Sequence, residues 1–324
     1  MALFKKMFDQ SVGGKGVLKS ELSDKFTALK FLRLTKRKFF RLCGINVLFI
    51  LMNLPAVAIL LYLAGYGTVA QTTPLYPFWF GPVYGASQIV KNPAASLLYS
   101  LCSITVQGSY PGTWSYILLA IACLTFFTFG FSNTGMAYML RNYTREEPCD
   151  FKDFFGAIKR NFVQALLFGI IDLLILCALA VDIFLFFTGN GTPALFAVIG
   201  VASGVIYLIM RNYFYTILIT FDLSIIKIIK NSLIFAFVNV KRNLCGFLVN
   251  LISWILLGVL VYFATPVGVL LVIGVFFAFN SFVGIYTAYP AIKQYMIDPI
   301  IEQERKKKKE ENKGEKESIF QDMG

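Results

Sequence analysis

The chain has 324 residues, of which 57% are hydrophobic and 15% charged, and its mean hydropathy is +0.68. A soluble domain carries about a quarter charged residues, so this composition, with 33 Phe, favours the bilayer as solvent. The sequence has no His, which removes the side chain best suited to proton transfer near neutral pH. Its six Cys lack zinc-ligand spacing, so we expect no metal, cofactor or disulfide.

Residues 1–43 form a basic arm with eleven Lys/Arg against three acidic residues. Clustered cations can bind nucleic-acid phosphates, but a basic arm beside a first span is also what an anionic cytoplasmic leaflet retains. We favour the membrane interpretation and expect no nucleic-acid partner. The long polar start also predicts a retained first anchor rather than a signal peptide.

Six apolar segments follow, each long enough to cross a core of about 30 Å at about 1.5 Å per residue. They predict transmembrane helices at about residues 44–66, 114–140, 162–187, 193–212, 244–263 and 267–289. The predicted fold class is therefore all-α, a polytopic membrane domain over 44–290 with an outside loop at 67–113 and a charged tail at 291–324.

The distribution of charge predicts the orientation of these spans. Lys and Arg concentrate in segments 141–161 and 211–243 and after residue 289, whereas Lys91 is the only charge between residues 67 and 113. The positive-inside rule then places both termini in the cytoplasm of a multi-pass cell-membrane protein.

Amphipathic helical patterns occupy residues 150–162, 222–238 and, more weakly, 22–42. Asp150 and Asp222 are the predicted N-caps. The predicted apolar residues are Phe151, Phe154, Phe155, Ile158 and Phe162 in the first helix, and Ile225, Ile229 and Leu233 in the second. Basic helices of this kind lie in the headgroup plane or dock on a partner; we favour the lipid.

An internal repeat is visible in these connections. Arg141-Asn142-Tyr143 and Arg211-Asn212-Tyr213 each close a span, and Lys159-Arg160-Asn161 and Lys241-Arg242-Asn243 each lead into one. Both copies have the same direction, so any symmetry axis runs along the membrane normal. Chance recurrence of short basic tripeptides is the alternative, and we favour a repeat.

Asp172 is the sharpest candidate for a functional site. It lies about ten residues into the third span, where a carboxylate must be paired or protonated. Either it is a proton or cation site, or it is a structural hydrogen-bond partner across helices. The structural partners that we expect are Asn250, Ser253, Asn280 or Ser281.

Four arginines are expected to anchor the spans at the interface: Arg141, Arg160, Arg211 and Arg242. Arg141 and Arg211 are predicted to reach for lipid phosphates, with a role in binding an anionic substrate as the alternative. Aromatic residues of the outside loop, from Tyr76 to Tyr84, favour an interfacial belt over stacking on a sugar. Residues 88–102 are compatible with a further interfacial or re-entrant helix.

Several stretches resemble the YesL-like family of bacterial membrane proteins, over roughly residues 36–263. They are Asn53-Leu54-Pro55, Thr134-Gly135-Met136-Ala137, Asp150 to Phe155, Lys159 to Gln164, Phe221 to Ser224 and Ile228 to Leu233. Met136 stands where the family has a Pro, about 50 residues separate the first two stretches, and the sixth span and tail lie outside the resemblance. The family has no settled activity. Its genes tend to lie beside those for sugar uptake and utilisation in Gram-positive bacteria. The resemblance therefore implies a genomic association with sugar metabolism, but no particular reaction.

No nucleotide-binding, nucleophile-elbow or kinase pattern appears in the sequence. We therefore expect a non-enzymatic accessory or regulatory subunit associated with carbohydrate uptake, whose partners are the anionic leaflet and a sugar-uptake transporter. The alternative is a small secondary transporter or channel that uses Asp172. The sequence leaves a homo-oligomer open.

Overall fold

The computed structural model of the protein describes residues 26–63, 68–74, 105–187 and 194–306. In chain order the helices are α1 Ala28–Met52, α2 Pro55–Leu63, α3 Thr113–Cys123, α4 Thr125–Thr144, α5 Phe151–Arg160, α6 Phe162–Phe187, α7 Ala194–Leu218, α8 Ile225–Val238, α9 Val240–Phe263, α10 Thr265–Leu271 and α11 Phe277–Ile292. Two π-helical segments, Val272–Phe276 and Lys293–Ile297, flank α11.

Five helical stretches in the described part of the chain are long and apolar enough to cross a membrane. They are Thr113–Thr144, which joins α3 and α4, Phe162–Leu185, Val198–Leu218, Val240–Phe263 and Thr265–Lys306, which contains α10 and α11. A sixth is added if α1 and α2, interrupted at Asn53 and Leu54, count as one span. The coarse prediction of a multi-pass helical membrane protein is thus confirmed. The bounds differ most at the first span, because α1 begins at residue 28 and continues the amphipathic segment into the apolar one without a break.

The chain divides into two compact units, and the smaller comprises residues 54–125. Its helices α2 and α3 pack on each other. Its strands β1 Thr68–Pro74 and β2 Thr105–Pro111 pair antiparallel, with Thr68 opposite Pro111. This pair departs from the all-α prediction, and its Thr- and Val-containing sequences suit a strand. The expected helix at 88–102 and the aromatic residues of the outside loop lie outside the described residues.

Within the larger unit, most residues of α11 are buried, and Phe282, Ile285 and Tyr286 lie in the core. Asn46 of α1 is fully buried against the π-helical segment Val272–Phe276, which precedes α11. Its amide donates to the carbonyls of Val272 and Ile273, at 2.8 Å each, and accepts from the amide of Ala278 at 3.0 Å. A π-helical turn interrupts the regular pattern of backbone hydrogen bonds. The Asn46 side chain supplies hydrogen bonds to the backbone groups of this turn.

The predicted connecting helix at 150–162 is α5, and Asp150 is its N-cap as expected. The backbone amide of Asp150 donates to Asp153 Oδ2 at 2.7 Å. Phe154 and Ile158 are buried, but Phe155 remains 53% exposed. A methyl group at Gly135 of α4 would lie 2.7 Å from the Phe154 ring. One face of α5 therefore packs on protein, and only the remainder is left for lipid or a partner.

The second connecting helix is α8, whose N-cap is Ser224 rather than the predicted Asp222. Its buried face carries Ile228, Ser232 and Phe235, whereas Leu233 of the predicted stripe is exposed. The pattern could not select this face, because apolar residues, including Ile226 and Ile228, lie on both sides of the predicted stripe.

Candidate functional site

The candidate site forms where α4 and α6 cross at two glycines. A methyl group built on Gly130 would lie 2.0 Å from the Ala165 carbonyl oxygen, and one built on Gly169 would lie 2.3 Å from the Gly130 Cα. Close approach of this kind needs small residues at the crossing point. Asn133 and Asp172 each follow a crossing glycine by three residues, so they lie one turn away on the same faces.

Asp172 lies on the buried face of α6 and is 2% exposed. Ala165, Phe168 and Gly169 share this face at helical spacing, while much of the rest of α6 is exposed. The sequence of α6 thus places a narrow stripe of buried residues opposite an exposed apolar surface. Asp172 belongs to the buried stripe, so its carboxylate points into the protein.

Both carboxylate oxygens of Asp172 are occupied. Arg211 Nε of α7 lies 2.9 Å from each of them. The Tyr207 hydroxyl donates to Oδ1 and the Tyr215 hydroxyl donates to Oδ2, each at 2.7 Å. Charge-assisted hydrogen bonds of this type are roughly twice as strong as neutral ones, so the buried charge is compensated from three directions.

The guanidinium of Arg211 is held in turn by α4. Its Nη2 donates to Asn133 Oδ1 at 2.9 Å, and the Asn133 amide donates to the Phe129 carbonyl at 2.8 Å. The rings of Phe129 and Tyr215 each lie 5.5 Å from the Arg211 guanidinium carbon, within cation–π range. The cluster therefore joins three helices, α4, α6 and α7, through one ion pair.

A small cleft opens beside this cluster and is lined by Asn133, Arg211, Asn212, Tyr215 and Ser281 among others. Its volume is about 20 Å³, which is room for about one water molecule. As it stands, this cleft does not hold a sugar.

The predicted partners of Asp172 form separate contacts. Ser253 donates to Asn280 Oδ1 at 2.8 Å, and the Asn280 amide donates to the Phe276 carbonyl at 2.9 Å. Asn250 is half-buried, and its Oδ1 has no hydrogen-bond partner among the described residues. Ser281 lines the cleft beside Arg211. The proposed grouping of Asp172 with Asn250 and Asn280 is therefore replaced by the cluster on Arg211.

The interfacial arginines find mostly protein partners. Arg141 is 7% exposed and donates to the Ile219 carbonyl at 3.0 Å and to Thr220 Oγ1 at 3.1 Å. Arg242 donates to the carbonyls of Phe26 and Tyr286, at 3.2 and 3.1 Å. Arg141 and Arg211 were predicted to bind lipid phosphates, but their guanidinium groups are hydrogen-bonded to protein atoms instead. Arg160 is exposed, with its guanidinium 5.4 Å from the Tyr138 ring.

Tyr207 and Tyr215 are site residues that were not predicted from the sequence, although it carries a signal for them. They lie four residues before and four residues after Arg211, so Tyr, Arg and Tyr share one face of α7. A cation between two hydroxyls on one helical face, opposite a lone carboxylate on the preceding span, is the pattern that would have identified the partner.

Within the described residues no group of three His, Cys, Asp or Glu side chains could hold a metal ion. Residues 42–183 match the family described as "Protein of unknown function, DUF624". The match covers less than half of the chain. It includes Gly130, Asn133 and Asp172, whereas Arg211 lies beyond it. No curated protein and no solved structure matches the chain.

Proposed function

We propose that the protein is a non-enzymatic accessory or regulatory membrane subunit of a carbohydrate-uptake system. The observation that carries this proposal is the occupation of Asp172. A coupling carboxylate must exchange protons or ions during a cycle, but both oxygens of Asp172 are held by Arg211 and two tyrosines. The adjoining cleft of about 20 Å³ has no room for a sugar. A structural role for the ion pair favours a subunit that works through contacts.

The link to carbohydrate rests on resemblance. The YesL-like pattern extends over roughly residues 36–263, and the family match at 42–183 falls inside it. We extend this to membership of the YesL-like group and to a Gram-positive source. The genes of that group tend to lie beside sugar-uptake transporters, and such a transporter is the partner that we propose.

The outward faces of α5 and α8 are the proposed contact surface. On α5 the exposed residues are Lys152, Phe155 and Lys159, and on α8 they include Ile226 and Lys227. Apolar residues set among cations suit either a headgroup plane or an acidic partner surface. These faces remain available after Phe154 and Ile228 have packed inward.

We also propose six spans with both termini in the cytoplasm, built from two parallel repeats. The clustering of Lys and Arg in alternate connections supports this orientation. The contacts of the two copies have diverged: Arg141 holds backbone and hydroxyl groups at the end of α7, whereas Arg211 holds Asp172.

A small secondary transporter is the second candidate function. It is favoured by one observation, the Arg211 guanidinium lining a cleft together with Asn212 and Ser281. A buried ion pair that opened during a cycle would expose a carboxylate and a cation to that cleft. Flux driven by an ion gradient would then depend on Asp172.

Purification of the tagged full-length protein from native membranes, with quantitative mass spectrometry, tests the proposal. We expect a sugar-uptake transporter in stoichiometric amount, lost when Lys152→Glu and Phe155→Ser are combined on α5. Val259→Ser, an exposed change on α9, is the matched control and should leave the partner in place. A homo-oligomer without a partner, together with gradient-driven flux in vesicles, would reject the accessory role and favour the transporter.

A further inference from the structure

A second cavity, which shares no lining residue with the cleft beside Asp172, opens between α7, α8 and α9. Its volume is about 190 Å³. Its walls are formed by Val205, Ile206 and Ile209 of α7, Phe237 of α8, and Val240 and Leu244 of α9. For comparison, an engineered cavity of about 150 Å³ lined by similar side chains stays dry and binds benzene. The cavity is therefore large enough for an apolar ligand and unfavourable for water.

The one polar side chain in the lining offers little to a polar ligand. Asn243 accepts from the Tyr213 hydroxyl at 2.7 Å. Its amide donates to the carbonyls of Phe235 and Ala236, at 3.0 Å each. Because Asn243 is already engaged through its oxygen and its amide, the ligand must be held by apolar contact.

The mouth of the cavity lies at the outer surface of the helices, since Phe237, Val240 and Leu244 are all exposed. Lys241 precedes the lining residue Leu244 by three residues, so their side chains lie on one side of α9, one turn apart. It is exposed, and no salt bridge pairs it with an acidic group in the described part of the chain. An apolar slot with an unpaired cation at its mouth has the polarity of one lipid: a chain inside and an anionic headgroup outside.

We propose that this cavity binds an acyl chain of an anionic phospholipid, whose headgroup phosphate is held by Lys241. The apolar lining holds the chain by close van der Waals packing, which distinguishes this site from the surrounding lipid. Lys241 supplies the selectivity for acidic over zwitterionic headgroups. The site uses neither Asp172 nor the outward face of α5. It shares α8 with the proposed contact surface through Phe237, which the variants below leave unchanged.

The test is thermal unfolding and native mass spectrometry of the full-length protein in detergent, with added lipid. Phosphatidylglycerol should raise the melting temperature more than phosphatidylcholine with the same chains, and it should remain bound in the mass spectrum. Glycerol phosphate, which has a headgroup and no chain, should have no effect. A shift with glycerol phosphate equal to that with the whole lipid would overturn the proposal, because it would identify a phosphate site alone.

Two variants with matched controls separate this site from general lipid solvation. Val240→Trp narrows the mouth and should abolish the retained lipid, whereas Val259→Trp makes the same exposed change further along α9 and should not. Lys241→Gln should keep the lipid but reduce the preference for the anionic headgroup by roughly fivefold, the effect of one cation near a charged surface. Lys36→Gln, at an exposed lysine of α1 away from the cavity, is its control. Equal lipid retention by Val240→Trp and Val259→Trp would show annular lipid only and overturn the proposal.

Discussion

At the scale of single residues, the ion pair between Asp172 and Arg211 determines how the third span, α6, contributes to the stability of the protein. Breaking a buried ion pair leaves an uncompensated charge and costs about 3–5 kcal/mol, whereas removing both charges is often close to neutral. We therefore expect Asp172→Asn alone and Arg211→Gln alone to destabilise the protein strongly. The double variant should recover much of the loss, measured by thermal unfolding in detergent.

Val181→Ala, an exposed change on the same α6 helix, serves as the control for this cycle. Additive losses in the double variant would show that the two side chains do not depend on each other. The double variant also has a functional use: it retains a folded protein without the carboxylate. If this double variant abolishes gradient-driven flux that the natural protein shows, the transporter function is favoured.

Glu146 is a second residue whose charge matters, and it sits just beyond α4 with a φ of 61°. A non-glycine residue in this region is strained by about 1–2 kcal/mol. The carboxylate is bound by Arg37 and Lys30 of α1. Burial alone would raise the pKa of Glu146, but hydrogen bonds from these two cations outweigh it and lower the pKa below the ordinary 4.5.

Because the folded pKa of Glu146 is lowered, its contribution to stability is complete above about pH 4.5 and is lost as the pH falls through the folded value. The difference in melting temperature between the natural protein and Glu146→Gln should therefore be constant near neutral pH and shrink below pH 4.5. A difference that stays the same down to pH 3 would contradict the ion pairs.

At the scale of elements, the crossing of α4 and α6 explains why Asn133 and Asp172 reach the same arginine. Gly130→Ala would put a methyl group 2.0 Å from a carbonyl oxygen of α6, so the helices must separate. We expect a loss of stability at least as large as overpacking elsewhere, about 1–3 kcal/mol. Gly156→Ala on α5 is the matched control, because nothing lies within 4 Å of its added methyl. It should be neutral or stabilising, by up to about 1 kcal/mol.

The two phenylalanines of α5 provide a sharper test of its packing. Phe154 is 0% exposed and packs on Gly135, whereas Phe155 is 53% exposed. Phe154→Ala should cost about 3–5 kcal/mol as a buried aromatic deletion. Phe155→Ala should change detergent stability little and should act instead on membrane or partner binding. Equal losses of stability for the two variants would show that α5 does not dock through Phe154.

The elements also show what sequence could and could not predict. The third span was predicted at 162–187, and α6 has those bounds, because polar residues in the sequence delimit a continuous apolar run. The partner of Asp172 could not be chosen by spacing alone. Asn250 and Asn280 were equally plausible at that depth, and only the rotation of α7 brings Arg211 to α6.

At the scale of the whole chain, the apolar segments resemble one another in sequence and differ in their surroundings. The spanning window in α9 is 6% buried, whereas the window in the continuous helical stretch that includes α11 is 44% buried. Their mean hydropathies are nearly equal, because both a lipid-facing and a protein-facing position of a membrane helix are apolar. Hydropathy therefore predicts the spans but not their order of burial.

The orientation of these spans is the property of the whole chain that charge alone predicts. Thr72→Cys and Asn190→Cys, placed in a background without native cysteines, should react with an impermeant thiol reagent on intact cells. Arg145→Cys and Lys313→Cys should react only after the membrane is permeabilised. Arg145 is chosen over its neighbour Thr144, because Thr144 is 1% exposed and would stay unlabelled on either side. Labelling of Arg145→Cys in intact cells would reject the cytoplasmic placement of the α4–α5 connection. The predicted result would place the outward face of α5 where a cytoplasmic partner can reach it, and the proposed subunit function requires this placement.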